Sequence, residues 1–265
     1  MSTHGWAGAA DGPVTVVLHG GGPGCHSAGD FAAVIASRPG RRWLWVDLPG
    51  YGGSAAPEPG PLFTTHARAL AAILERLGLS EVDILAQSLG GSVALRLAAD
   101  APTRVRRVVL IGSQPAAFPG PAVDPGLGTR ARATYYGGDG PSPAKMRALM
   151  AELEWHDPAA LSEDAVLARH RASTTPTALR LATDTAARGT PEDLGDALAS
   201  VGTPTLVVWG RHDPFGGPDY ATALADALPR GDLAVLGATA HHPQAERPDA
   251  VAALVDAFLP TTERS

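Results

Sequence analysis

The chain has one cysteine, Cys25, and that alone removes several possibilities. No internal disulfide can form, and no cluster of thiolates can hold a metal. A nucleophilic role for Cys25 has little behind it, because no activating partner can be assigned and a better nucleophile exists. No apolar run approaches the roughly 20 residues needed to cross a bilayer. The opening, Met1 to Trp6, has neither the basic region nor the apolar stretch of a signal peptide, so the expected compartment is the cytoplasm. Basic residues are outnumbered, and the formal charge of −6 with no basic stripe argues against nucleic acid as a partner. There is no internal repeat.

What is present is a chain of 265 residues, 45% of them hydrophobic and 18% charged. That is enough for one sizeable core with an inserted subdomain. Short continuous apolar runs are the mark of parallel strands buried on both faces. Val14–Leu18, Arg42–Asp47, Val82–Gln87 and Arg106–Ile111 are such runs, and the rhythm resumes with Thr205–Trp209 and Leu233–Leu236. Helical patterns fill the gaps. Leu70, Ile73, Leu74 and Leu77 share one face, Leu89–Ala99 is small and apolar almost all round, and Pro248–Leu259 is amphipathic. The expected fold class is α/β, with a mostly parallel, doubly wound sheet whose ligands sit at the carboxyl ends of the strands.

The interruption, residues 113–201, differs in kind. It opens on a Pro- and Gly-rich stretch and continues with helical segments such as Ser142–Leu153 and Ser162–Ser173. We expect a helical cap there, with residues 1–112 and 202–265 forming the core.

Chemistry concentrates in three loops. Ala86-Gln87-Ser88-Leu89-Gly90 lies where a strand ends and a helix begins, close to the G-x-S-x-G pattern, with alanine in place of the first glycine. A serine in that sharp turn is raised above the sheet, and its neighbours two places away must be small. The plain alternative is a strand-to-helix turn with Ser88 as helix cap. His19-Gly20-Gly21-Gly22-Pro23-Gly24 follows the first strand, and a loop so poor in side chains can bring backbone N–H groups to a developing oxyanion. A phosphate loop is disfavoured, since no Lys-Ser/Thr follows, and His19 is read as structural. Asp213 follows the penultimate strand, and His241 and His242 follow the last. Ser88 as nucleophile, His241 as base and Asp213 as its orienting carboxylate give the chain order of a strand-end triad.

These pieces resemble the α/β-hydrolase superfamily across nearly the whole chain, and more narrowly the meta-cleavage-product hydrolases, which cut carbon–carbon bonds in dienoates. The narrower likeness rests on the glycine loop, on Val46-Asp47-Leu48-Pro49-Gly50-Tyr51-Gly52-Gly53-Ser54 and on the segment from Asp157-Pro158 to Ser173; the broader likeness also has His241-His242-Pro243-Gln244-Ala245-Glu246-Arg247-Pro248. That last stretch is similar to the G-H-W-P-Q-x-E-R-P ending of this fold, which makes His241 the base and puts His242 where an aromatic residue is usual. The resemblance implies oxyanion donors at the N–H groups of Gly21 or Gly22 and of Leu89. It implies that Arg169 pairs with a substrate carboxylate. It also sets Gln87, His242 and Asp30 around the substrate, at positions where the family usually has Asn, Trp and Asn. A two-stranded hairpin normally begins the fold. Few residues precede Val14, so a sheet lacking one or both of those strands is expected.

The function implied is a serine-dependent hydrolase of a small molecule, with no metal or organic cofactor. A carbon–carbon bond in a vinylogous 1,5-diketone is the first substrate expectation. An ester, lactone or thioester hydrolase is the alternative, and a non-hydrolytic binding protein or cyclase on the same scaffold is the rival from another class. An aspartate-nucleophile enzyme of this fold is excluded by Ser88. No membrane partner is expected, and nothing in the sequence excludes a homodimer.

Overall fold

The computed structural model describes residues 2–184 and 186–261. Seven strands form one sheet among them: β1 (His4–Gly8), β2 (Val14–Leu18), β3 (Arg42–Val46), β4 (Val82–Gln87), β5 (Val105–Ile111), β6 (Thr205–Gly210) and β7 (Gly231–Leu236). Their order is β1-β3-β2-β4-β5-β6-β7. All neighbours run parallel except β1, which lies antiparallel on β3 with His4 opposite Val46. One strand thus precedes Val14. It is not a hairpin with β2, because β1 pairs with β3 at the sheet edge. Gly5 makes that edge possible: a Cβ there would lie 2.3 Å from the Trp45 indole across the pair.

The continuous apolar runs serve two cores at once, because successive strand residues point to opposite faces. Val16, Leu18, Ile84, Val108 and Leu110 pack on one side with the helices Leu62–Arg76, Leu89–Asp100 and Pro218–Ala227. Val17, Leu85, Val109 and Val208 pack on the other with Phe31 and with Val251 and Val255 of the Pro248–Phe258 helix. Each fully buried Val, Leu or Ile contributes about 1.5–3 kcal/mol from removal of apolar surface from water. The chain leaves β2 for β3 on one side, then crosses to β4 on the other. The loops after β2 and β4 therefore flank the crevice where strand order reverses, the usual ligand position in open α/β sheets.

Between β5 and β6 lie the helices Leu127–Tyr136, Pro143–Leu153, Glu163–Ser173 and Pro176–Thr183. Ser142, Ser162 and Thr175 cap the last three by accepting from backbone N–H groups. Tyr135, Met146, Leu149, Met150, Leu161 and Val166 give this segment a small core of its own. No helix among the described residues is long and apolar enough to cross a membrane.

Candidate active site

A cavity of about 640 Å³ opens at the carboxyl ends of the strands, between the sheet and the intervening helices. Ser88, Gln87 and Leu89 line it from the loop after β4, Gly21 and Gly22 from the loop after β2, and His241 and His242 from the loop after β7.

Ser88 has φ +48° and ψ −114°, a backbone state that L-residues rarely adopt. Its side chain caps no helix N–H, so the capping alternative does not describe this turn. The strain, of the order of 1–3 kcal/mol, is held by surrounding packing and hydrogen bonds. Ser88 N–H donates to the Ile111 carbonyl at 2.8 Å, and the Ser113 hydroxyl donates to the Ser88 carbonyl at 2.7 Å. The small neighbours are sterically required. A Cβ at Gly90 would lie 2.7 Å from the backbone carbonyls of His19 and Leu18, and Ala86 is fully buried. Leu89, the first residue of the following helix, has an N–H without an intrahelical acceptor.

His241 and Asp213 meet at 2.8 Å, Nδ1 to Oδ2, and both are buried. The second Asp213 oxygen accepts from the Phe215 N–H at 2.9 Å, and the Phe215 ring stands 4.4 Å from the imidazole. Burial alone would lower the His241 pKa; the Asp213 carboxylate overcomes it and holds the imidazole above its ordinary value. Gly112, at φ +55°, makes room for the pair, since a Cβ there would lie 3.1 Å from both Asp213 Oδ2 and His241 Nδ1.

The glycine loop is braced from below. Leu48 N–H donates to His19 Nε2 at 2.9 Å, so Nδ1 carries the proton and donates to the Gly20 carbonyl at 2.7 Å. His19 is fully buried and its pKa is lowered by that burial, which suits a structural role. The Gly21 carbonyl accepts from the Tyr51 hydroxyl at 3.1 Å and from Arg132, which fixes the Gly21–Gly22 peptide plane.

A profile for the alpha/beta hydrolase fold matches residues 14–248. The chain belongs to the α/β-hydrolase family. It is 33% identical over 256 residues to 2-hydroxymuconate semialdehyde hydrolase of Pseudomonas putida, covering 92% of this chain and 86% of the relative. It is 29% identical to a 2-hydroxy-6-oxononadienedioate/2-hydroxy-6-oxononatrienedioate hydrolase of Cupriavidus pinatubonensis, covering 92% and 86%. Among solved structures, the 2-hydroxy-6-oxo-6-phenylhexa-2,4-dienoate hydrolase BphD of Rhodococcus sp. strain RHA1 superposes with a TM-score of 0.82 at 27% identity, covering 97% of this chain and 93% of that one. The meta-cleavage product hydrolase CumD of Pseudomonas fluorescens IP01 shares the fold, with a TM-score of 0.82 at 23% identity and coverage of 97% and 93%. These relatives resemble the chain over nearly its full length, and it is an enzyme of the α/β-hydrolase family.

At the Gly22 end of its cavity this α/β-hydrolase holds a buried charged cluster. Arg169 donates to Glu154 Oε1 and to Cys25 Sγ, each at 2.8 Å, and through Nε to the Pro23 carbonyl at 2.8 Å. Asp30 lies 3.7 Å from the same guanidinium. Glu154 lines the cavity; Arg169 stands behind that lining. This departs from the expectation for Arg169, because internal groups take the fork that a substrate carboxylate was expected to fill. Asp30 likewise faces Arg169. Burial raises the Cys25 thiol well above its ordinary pKa, leaving it a neutral acceptor in this cluster.

Gln87 donates to the His241 backbone carbonyl at 3.1 Å, tying the loop after β4 to the loop after β7. Its Oε1 is buried without a partner, and a Cβ at Gly20 would lie 1.9 Å from it. His242 N–H donates to the Glu154 carbonyl at 3.2 Å, and burial, with Arg169 nearby, pushes the ring's pKa well down. Glu154, Arg132, Arg188 and His66 also shape the cavity and were not anticipated. His66 has both ring nitrogens buried and unpartnered, and burial lowers its pKa to about 4. No local signal marks these residues, since each acquires its place only when the helices after β5 fold over the sheet.

Proposed function

We propose that this enzyme is a serine hydrolase in which Ser88 attacks a carbonyl carbon, His241 removes the hydroxyl proton, and Asp213 holds the imidazole tautomer. The observation that carries this reading is the strained turn at Ser88 in a cavity also lined by His241, whose Nδ1 is held by the buried Asp213 behind it. A serine hydroxyl is a weak nucleophile until an imidazole takes its proton, and a buried carboxylate then steadies the imidazolium. N–H groups of Gly21 or Gly22 and of Leu89 hold the oxyanion, and the residues 113–201 act as the cap that shields it from water. Asp213 Oδ2 fixes the Nδ1 proton, which leaves His241 Nε2 as the basic nitrogen.

We take the bond broken to be a carbon–carbon bond in a vinylogous 1,5-diketone. The likeness to 2-hydroxymuconate semialdehyde hydrolase at 33% identity supports this substrate class. In that case His241 first assists ketonisation of the dienol; attack by Ser88 at the remaining carbonyl then breaks the carbon–carbon bond, the carbanion takes the proton held by His241, and water activated by His241 hydrolyses the acyl–Ser88 ester to free the acid and the serine. One observation favours a second reading, hydrolysis of an ester, lactone or thioester: Glu154 already occupies the Arg169 guanidinium. The test is a paired absorbance assay with a 2-hydroxy-6-oxo-dienoate and a short p-nitrophenyl ester. Rapid loss of the dienoate with slow ester cleavage supports carbon–carbon cleavage. Ester cleavage alone moves the reading to the esterase class. Inertness towards both, together with no labelling of Ser88 by an organophosphonate, overturns the serine mechanism.

A further inference from the structure

Two cations in the Ser88 cavity have no ion-pair partner among the described residues. Arg132, on the Leu127–Tyr136 helix, and Arg188, closing the turn Ala186–Arg188, both line it. The carboxylates that share the lining are committed elsewhere: Glu154 to Arg169, Asp124 to Arg130, Glu192 to the N–H groups of Phe63 and Thr64, and Asp193 to that of Gly195. Arg132 donates to the Gly21 carbonyl and hydrogen-bonds the Tyr51 hydroxyl, both neutral groups that leave its charge unpaired and part of its five-donor fork available. Among the described residues, the buried Nε of Arg188 has no acceptor.

Holding two guanidiniums close together in a partly buried site costs free energy. Burial disfavours the charge on Arg188, and the neighbouring Arg132 adds to that penalty. An anion placed between the two guanidiniums removes both costs, and planar forks of this kind suit a carboxylate better than a point charge would. Arg169 offers no such opportunity, since Glu154 and Asp30 already neutralise it.

We propose that Arg132 and Arg188 form a carboxylate-binding subsite of the Ser88 cavity, so that the substrate is an organic acid whose carboxylate is read here instead of at Arg169. The proposal rests on the reading of this cavity as the reaction site. Because Arg132 also braces Gly21, a bound carboxylate is coupled directly to the loop that receives the oxyanion.

The test is calorimetric titration of the protein with pentanoate and with pentanamide, two ligands of one shape that differ in charge. Wild type is expected to bind the carboxylate about tenfold more tightly, the scale of a charge-assisted hydrogen bond. Arg188→Met, which breaks no internal hydrogen bond, and Arg132→Met with Arg188→Met are expected to lose that preference. Arg171→Met, an exposed cation outside the lining, is expected to keep it. Equal binding of the two ligands by wild type, or a preference that survives Arg188→Met, overturns the proposal. Neither ligand needs to react, so carboxylate binding without any hydrolytic activity would count against the serine mechanism and leave the subsite standing.

Discussion

His241 Nδ1 and Asp213 Oδ2 face each other at 2.8 Å, and the carboxylate more than offsets the effect of burial on the imidazole. The base works only when neutral, so kcat/KM should fall on the acid side through a pKa above the ordinary histidine value of 6.5. Asp213→Asn should move that limb down in pH and cost about ten-thousandfold in kcat, the scale of tautomer loss in such triads. Stability runs the opposite way. A folded pKa above the unfolded one makes the protonated pair stabilising below pH 6.5, and that contribution is lost as pH rises through the folded value. A pH–rate profile beside urea melts at several pH values would show both limbs. An acid limb at or below 6.5 in wild type would contradict the pairing.

Ser88 trades stability for position. Ser88→Ala should lower turnover by about a thousandfold or more while leaving the fold intact, judged by triad knockouts generally. Ser88→Gly should be equally inactive yet more stable by about 1 kcal/mol, because glycine occupies positive φ without the side-chain penalty. Denaturant melts of the two variants separate strain from chemistry. If glycine stabilises no more than alanine does, the turn is not strained.

Gly112 is expected to influence turnover without touching substrate, through the space it leaves for the His241–Asp213 pair. Alanine there would place a Cβ about 3.1 Å from both members of the His241–Asp213 pair, at φ +55°. We predict a loss of about 1–2 kcal/mol of stability. The displaced imidazole should cost about tenfold to a hundredfold in kcat, since small misplacements are expensive in a preorganised site. The acid limb should shift downward as the pair separates. Wild-type kcat and an unmoved limb in Gly112→Ala would show that the pair has room to spare.

The sheet was legible because parallel strands buried on both faces leave continuous apolar runs. Val14–Leu18 and Val82–Gln87 are strands over the same residues that hydrophobicity marks. β1 escaped notice for the converse reason. His4–Gly8 is an edge strand with two glycines, one of them there to accommodate Trp45, and its apolar content is too low to announce itself. The positions of the Ser88, Asp213 and His241 loops were legible because each follows a strand whose apolar run marks where it ends. The charged groups around the cavity were not. Glu154 sits 15 positions from Arg169, and Asp30 ends the short helix Ser27–Asp30 within the crossover from β2 to β3. Their pairing follows from how the helices after β5 settle on the glycine loop, which no local pattern encodes.

Arg169 offers a clean choice between a structural ion cluster and a substrate ligand. It is buried with Glu154 and Asp30, and removing it would strand two carboxylates away from water. Arg169→Met should therefore destabilise the protein by about 3–5 kcal/mol, the usual cost of breaking a buried pair from one side. Glu154→Gln in that background should restore part of the loss by removing one stranded charge, and the double-mutant cycle should show coupling of about 1 kcal/mol or more. A residue that merely contacts substrate would behave otherwise: the melt would hardly move while KM rose for carboxylate substrates. Urea denaturation of the two single variants and the double variant, read beside KM, decides between them. A stable Arg169→Met protein with a large rise in KM would return the substrate carboxylate to Arg169 and leave Glu154 as a group that yields to it.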